Sequence, residues 1–213
     1  MPDDRILRSK VTTSDSFVGL LLAGGQSRRM GGGDKALMKL GDETLLARII
    51  ARVRPQVGPL VLNANGDLSR FAVYGLPIAP DVVEGYAGPL AGVLTGLEWA
   101  RAQAPTCEYV ASFACDAPFI PHDLVMRLFL AMAESNADMA CAASGGREHP
   151  VFALWPVRLA DDLRRAVVED GVRKVDAWTG RYRLARASFA TDPVDPFFNV
   201  NAPQDMAAAE ALL

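Results

Sequence analysis

The chain has 213 residues, a formal net charge of −3, 50% apolar residues and 22% charged residues. That length suits one domain with a sizeable core, and the slightly acidic balance excludes a general attraction to nucleic acid or to an anionic membrane. Three cysteines without a CxxC pair and only two histidines argue against a Cys/His zinc site and fit a reducing cytoplasm.

The first 16 residues, MPDDRILRSKVTTSDS, carry no apolar h-region. They are expected to be a disordered leader, with residues 17–213 forming a single domain. No run of about 18 apolar residues offers a membrane span. Phe17–Leu22 (FVGLLL) is a nearly unbroken apolar run stopped by glycines, the pattern of a strand buried on both faces. In Thr44–Arg54, helical spacing aligns Leu45, Leu46, Ile49, Ile50 and Val53, and Pro55 follows; an amphipathic helix is predicted. Strands are expected at Leu60–Asn63, Pro77–Ala79 and Tyr109–Phe113, and a helix at Pro89–Ala102, whose proline suits a first turn. His122–Ser135 reads as a second apolar helix. Asp138–Ala143 and Val151–Trp155 read as strands, and Val157–Glu169, Val172–Arg181 and Pro203–Leu213 as helices. Strands alternating with helices of this length predict an α/β three-layer sandwich, a mostly parallel sheet with helices on both faces.

Leu21–Lys35 (LLAGGQSRRMGGGDK) places five glycines, two arginines and a lysine directly after the first strand. Ligands of open α/β sheets bind beyond the carboxyl ends of the strands. Glycines there let backbone N–H groups approach an anion, and Arg28, Arg29 and Lys35 supply charge, so the loop reads as a phosphate cradle. It is neither a G-x-x-x-x-G-K-[ST] loop nor a G-x-G-x-x-G loop.

Residues Leu22–Lys35 resemble the LAGGxSxRMGGxDK signature of molybdenum cofactor guanylyltransferases. Further blocks resemble that family in order: LNAN (Leu62–Asn65), GPLAG (Gly88–Gly92), CDAPFIP (Cys115–Pro121), HPVFALW (His149–Trp155), RKVDAW (Arg173–Trp178) and FNVNAPQD (Phe198–Asp205). The resemblance runs from about residue 17 to the end. It implies a Rossmann-like nucleotidyltransferase fold and the transfer of GMP from GTP to the phosphate of molybdopterin, with release of pyrophosphate.

By that resemblance Lys35, Arg29 and Asp116 are the catalytic residues. Leu22, Ala23, Gly24, Lys35, Asn63, Asp81 and Asp116 contact GTP, and Asp116 holds Mg²⁺. A carboxylate after the third apolar strand suits a cation bound by few protein oxygens and by substrate phosphates. Asn199 and Asn201 precede the last helix and could serve the metal or second substrate, or cap the helix. His149 reads as packed, since an anionic phosphate needs no base. Arg147, Arg173, Lys174 and Arg181 could meet the pterin phosphate or form a solvated face, and Trp178 could stack a pterin or fill the core. The resemblance further implies a cytoplasmic enzyme with no nucleic-acid or membrane partner, in transient contact at most with molybdoenzymes or cofactor-biosynthesis proteins. Three alternatives keep parts of the pattern: a molybdopterin cytidylyltransferase using CTP, a sugar-phosphate nucleotidyltransferase, and a non-catalytic nucleotide-binding partner for cofactor insertion. Lys35 together with Asp116 favours an enzyme over a binder.

Overall fold

The computed structural model describes residues 13–23, 34–83, 85 and 88–213. Residues 1–12 of the expected leader lie outside the described residues. Ser14–Ser16, expected in the leader, form a 3₁₀ turn, and the Asp15 carbonyl accepts a hydrogen bond from Cys107 Sγ at 3.2 Å.

Nine strands are described: β1 Phe17–Leu22, β2 Lys39–Leu40, β3 Glu43–Thr44, β4 Leu60–Asn63, β5 Ile78–Ala79, β6 Tyr109–Ala114, β7 Met139–Ser144, β8 Arg147–Pro156 and β9 Leu184–Phe189. The α-helices are α1 Leu45–Val53, α2 Pro89–Gln103, α3 Leu124–Glu134, α4 Ala160–Val168, α5 Val175–Thr179 and α6 Pro203–Glu210. Seven strands form one sheet in the order β5-β4-β1-β6-β8-β7-β9, and β2 pairs with β3 in a small hairpin. Only β8 runs antiparallel to its neighbours β6 and β7. The sheet is therefore mostly parallel, as expected.

Both faces of the sheet are covered. On one, Phe17, Leu21, Leu62 and Phe113 pack with Leu46, Ile49 and Val53 of α1 and with Leu124, Leu128 and Met132 of α3. On the other, Val18, Leu20, Val61 and Val110 meet Leu90, Leu94 and Leu97 of α2, Leu163 of α4 and Trp178 of α5. A smaller cluster of Leu40, Leu45, Val200 and Ala209 seats α6 beside the hairpin.

Local chemistry sets the helix ends. Thr44 caps α1, its side chain accepting from Ala47 N at 3.1 Å, which satisfies one of the first-turn donors. Gln56 joins α1 to α3: its Nε2 donates to the carbonyls of Arg52 and Pro121, and its Oε1 accepts from Val125 N. Helix α2 lies unusually close to the sheet. A Cβ on Gly92 would come within 2.5 Å of Asn63 Oδ1 and Leu22 Cδ2, and one on Gly96 within 2.5 Å of Leu20 Cδ2. These two glycines, four apart on one helical face, let the backbone approach the ends of β1 and β4.

Several elements depart from expectation. The expected helix Val172–Arg181 shortens to Val175–Thr179. Val172 N closes the end of α4 by donating to Ala166 O, and Gly171 before it has φ +64°. The strand expected at Val151–Trp155 extends over Arg147–Pro156, with a register shift opposite Cys141/Ala142. The terminal helix stops at Glu210. Strands β2, β3 and β9 were not foreseen. Among the described residues no helix is long and apolar enough to cross a membrane.

Candidate active site

The register of the parallel strands builds the site. Leu22 at the end of β1 lies beside Asn63 of β4 on one side and Ala114 of β6 on the other. Loops leaving these strands emerge from the same edge. Asn63 and the Cys115–Asp116 pair flank β1, two strand spacings or about 10 Å apart. Beyond β1, Ala23 N donates to Asn63 O at 2.9 Å.

Lys35 opens a 3₁₀ turn, Lys35–Leu37, whose Ala36 is buried in the core. Its ammonium donates to Asp116 Oδ2 at 2.8 Å and to Asn201 Oδ1 at 2.5 Å. The side chains of Lys35 and Asp116 are only 16% and 25% exposed, so solvent screens this pair less than one on the open surface. The other carboxylate oxygen, Asp116 Oδ1, is buried and has no hydrogen-bond partner among the described residues. A buried, unpaired anionic oxygen is costly and marks a place where a cation or donor belongs.

Asn201 reaches this cluster from the far end of the chain. Val200 N donates to Asp116 O at 2.8 Å, and the fully buried Val200 side chain fixes that contact. The first turn of α6 is capped by Asp205, whose Oδ2 accepts from both Asn201 N and Ala202 N at 2.8 Å. The Asn201 side chain is thereby free to turn to Lys35. Among the described residues its side chain meets Lys35 and makes no cap bond to α6.

A second cluster stands on β4. Asn63 is buried; its Nδ2 donates to Ala79 O at 3.0 Å and to Asp81 Oδ1 at 2.8 Å. Asn65 Nδ2 donates to Asp81 Oδ2, and Asn65 Oδ1 accepts from Asp81 N. Asn63 and Asp81 are thus brought together, with Asn65 as a third member that sequence reasoning did not single out. Asp34 and Arg70, joined by an ion pair, were also missed; no spacing rule links positions 36 residues apart. Gly24, Arg28 and Arg29 lie outside the described residues.

A metal would find hard oxygens at Asp116 and Asn201. Among the described residues no group of three or more His, Cys, Asp or Glu side chains gathers at one point. The donor set fits an ion that takes few protein ligands and completes its shell with water and phosphate. Cys115 is buried beside Asp116. Burial first, then the neighbouring carboxylate, push its thiol far above its ordinary range, leaving it an inert packing group.

His149 is packed, as read from the sequence. It stacks on Phe197 with ring centroids 4.6 Å apart, and its Nε2 lies 2.7 Å from Ser144 Oγ. Ser144 Oγ donates to Asp195 Oδ1 at 2.8 Å, so the hydrogen of the Ser–His contact resides on Nε2. Burial, with Asp195 opposing and Arg147 assisting, lowers the imidazole pKa from 6.5. Between that lowered value and 6.5 the unfolded chain takes up a proton that the native state refuses. The protein should lose stability as pH falls through that window, and His149→Gln should lose less over the same range. Parallel melting-temperature profiles for the two proteins between pH 7.5 and 5 would contradict this. Trp178 is fully buried against Trp155 and donates Nε1 to Asp162; it is core. Arg181 is paired with Asp170 on the surface.

The chain is similar to known proteins along most of its length. The family model of the MobA-like NTP transferase domain matches residues 19–185. A molybdenum cofactor guanylyltransferase of Bradyrhizobium sp. (strain ORS 278) is 53% identical over 201 residues, 94% of this chain and 95% of the relative. Another, from Rhodopseudomonas palustris (strain HaA2), is 54% identical over 193 residues, 91% of this chain and 90% of the relative. Among solved structures, molybdopterin-guanine dinucleotide biosynthesis protein A from Archaeoglobus fulgidus matches with a TM-score of 0.71, covering 92% of this chain and 97% of that one. At its 20% identity the likeness speaks for the fold alone. By fold, by family model and by chain-wide identity, the protein belongs to the molybdenum cofactor guanylyltransferase family of MobA-like NTP transferases.

Proposed function

We propose that the protein transfers GMP from GTP to the phosphate of molybdopterin, forming the guanine dinucleotide cofactor and releasing pyrophosphate. The observation that carries the site assignment is the convergence of Lys35, Asp116 and Asn201 around a buried carboxylate oxygen that lacks a partner among the described residues.

In this reading an oxygen of the pterin phosphate attacks the α-phosphorus of GTP. A new P–O–P link forms, the α–β bridging P–O bond breaks, and pyrophosphate leaves with the bonding pair. The attacking group is already an anion, so no protein base or covalent nucleophile is required. What remains is positioning and stabilisation of charge on the phosphate oxygens. Lys35 has three N–H donors. Two point at Asp116 and Asn201, and the third, without an acceptor among the described residues, would meet a phosphate oxygen. Arg29 supplies further charge from the glycine loop. Leu22, Ala23 and Gly24 offer backbone to the nucleotide, while Asn63 and Asp81 meet its base or ribose.

The divalent ion we assign is Mg²⁺, held by Asp116 with Asn201 beside it. When bound it would neutralise charge on the triphosphate. A cytoplasmic setting, and transient contact with molybdoenzymes or other cofactor-biosynthesis proteins, belong to the same proposal.

Base choice gives the direct test. Each hydrogen bond left unmade in a closed site costs about 1–3 kcal/mol. With molybdopterin supplied, GTP should therefore exceed CTP and ATP more than about tenfold in kcat/KM. Equal pyrophosphate release from CTP would remove the guanylyl assignment and leave the fold untouched.

A further inference from the structure

Asp34 immediately precedes Lys35 and occupies the N-cap position of its 3₁₀ turn, yet its side chain makes no capping bond. The carboxylate is held instead by Arg70. Arg70 Nε donates to Asp34 Oδ2, and Nη2 lies 3.4 Å from Oδ1. The same guanidinium donates through Nη2 to Asn65 O at 2.8 Å and through Nη1 to Asp67 O. One planar fork thus holds the residue before Lys35 on one side and the turn after β4 on the other. A lysine could not replace it, because an ammonium is a point donor without the fixed fork.

Arg70 is itself well anchored. It lies in a 3₁₀ stretch, Leu68–Tyr74, whose Phe71 is buried. Asp67 starts that stretch by accepting from Ser69 N at 3.0 Å and Ser69 Oγ at 2.7 Å. Since Asn65 is hydrogen-bonded to Asp81, the contacts form one chain: Asp81, Asn65, Arg70, Asp34, then the backbone into Lys35, which meets Asp116. The nucleoside-side cluster and the phosphate-side cluster are joined through a single guanidinium.

We infer that Arg70 is a positioning residue for nucleotidyl transfer. It acts through Asp34 to hold Lys35 at the carboxyl edge of the sheet and ties that placement to the turn carrying Asn65. This rests on the reading of Lys35 as the cation that meets the phosphates.

The experiment is a cycle of Arg70→Ala, Lys35→Ala and the double variant, read by single-turnover GMP transfer at saturating GTP, with melting temperature measured alongside. Misplacement of a catalytic group by about 1 Å can cost up to about 100-fold. Arg70→Ala should slow transfer about 10- to 30-fold, within that bound. Its effect should vanish in the Lys35→Ala background, because the group it positions is gone. Arg70→Lys keeps bulk and charge; it should melt as the wild type does and still lose at least about fivefold in rate, since the fork is lost. Two results would overturn the inference: an Arg70→Ala loss of equal size with and without Lys35, or Arg70→Lys transferring at the wild-type rate. If instead Lys35→Ala alone reacts normally, the reading of the site itself fails.

Discussion

Asp116→Asn should lower turnover by about 100-fold or more, while the chain folds as before. The substitution keeps the shape of the side chain and removes its charge. Asp116 Oδ1 is the buried oxygen without a partner among the described residues; the amide removes the anionic charge while its carbonyl oxygen can still accept from Lys35 Nζ. The backbone tie from Val200 N to Asp116 O is untouched. Chelation of divalent ions should inactivate the wild type to a similar degree. A near-normal kcat for Asp116→Asn at saturating Mg²⁺ would reduce the carboxylate to a turn residue beside Pro118.

Lys35→Ala should lose about 2.7–4 kcal/mol of transition-state stabilisation, or 10²–10³ in kcat, the usual cost of deleting a preorganised charge. Its melting temperature should change little by comparison. The pair with Asp116 is partly solvated, and the hydrophobic anchor of the turn is Ala36, not Lys35. Calorimetric GTP binding with single-turnover transfer separates affinity from rate. A wild-type transfer rate in this variant would contradict the role given to the ammonium.

The parts of the fold that were legible in the sequence are those where burial is complete. β1, β4 and β6 are apolar runs flanked on both faces, so their composition alone marks them, and Leu60–Asn63 was placed to the residue. β9 escaped notice for a physical reason. It is an edge strand, burying only Ala185, Ala187 and Phe189 while Arg186 and Ser188 face outward. Small buried residues alternating with polar ones give little hydrophobic contrast. The hairpin strands β2 and β3 are two residues each, too short for any period to register.

The site divides in the same way. Lys35, Asn63 and Asp116 stand in motif blocks and Asp81 follows β5; the parallel register sets Asn63 and the Cys115–Asp116 pair at one edge. Asn201 was ambiguous because an asparagine before a helix reads as a cap; Asp205 takes that role in three dimensions. Arg70 and Asp34 were not legible at all. Their pairing is a long-range contact between Asp34 and the 3₁₀ stretch after β4 that no local pattern encodes. Gly24 and Arg29 remain assignments by resemblance, since both lie outside the described residues.

The most direct measurement of the central claim follows the α-phosphate. GTP labelled at that position is mixed with excess enzyme, Mg²⁺ and molybdopterin for one turnover, and the products are separated. The label should move into the guanine dinucleotide of molybdopterin, with one pyrophosphate released per product, and Asp116→Asn should slow both together. Label recovered only as GDP or free GMP, or a dinucleotide formed equally fast without Asp116 and Lys35, would contradict guanylyl transfer at this edge of the sheet.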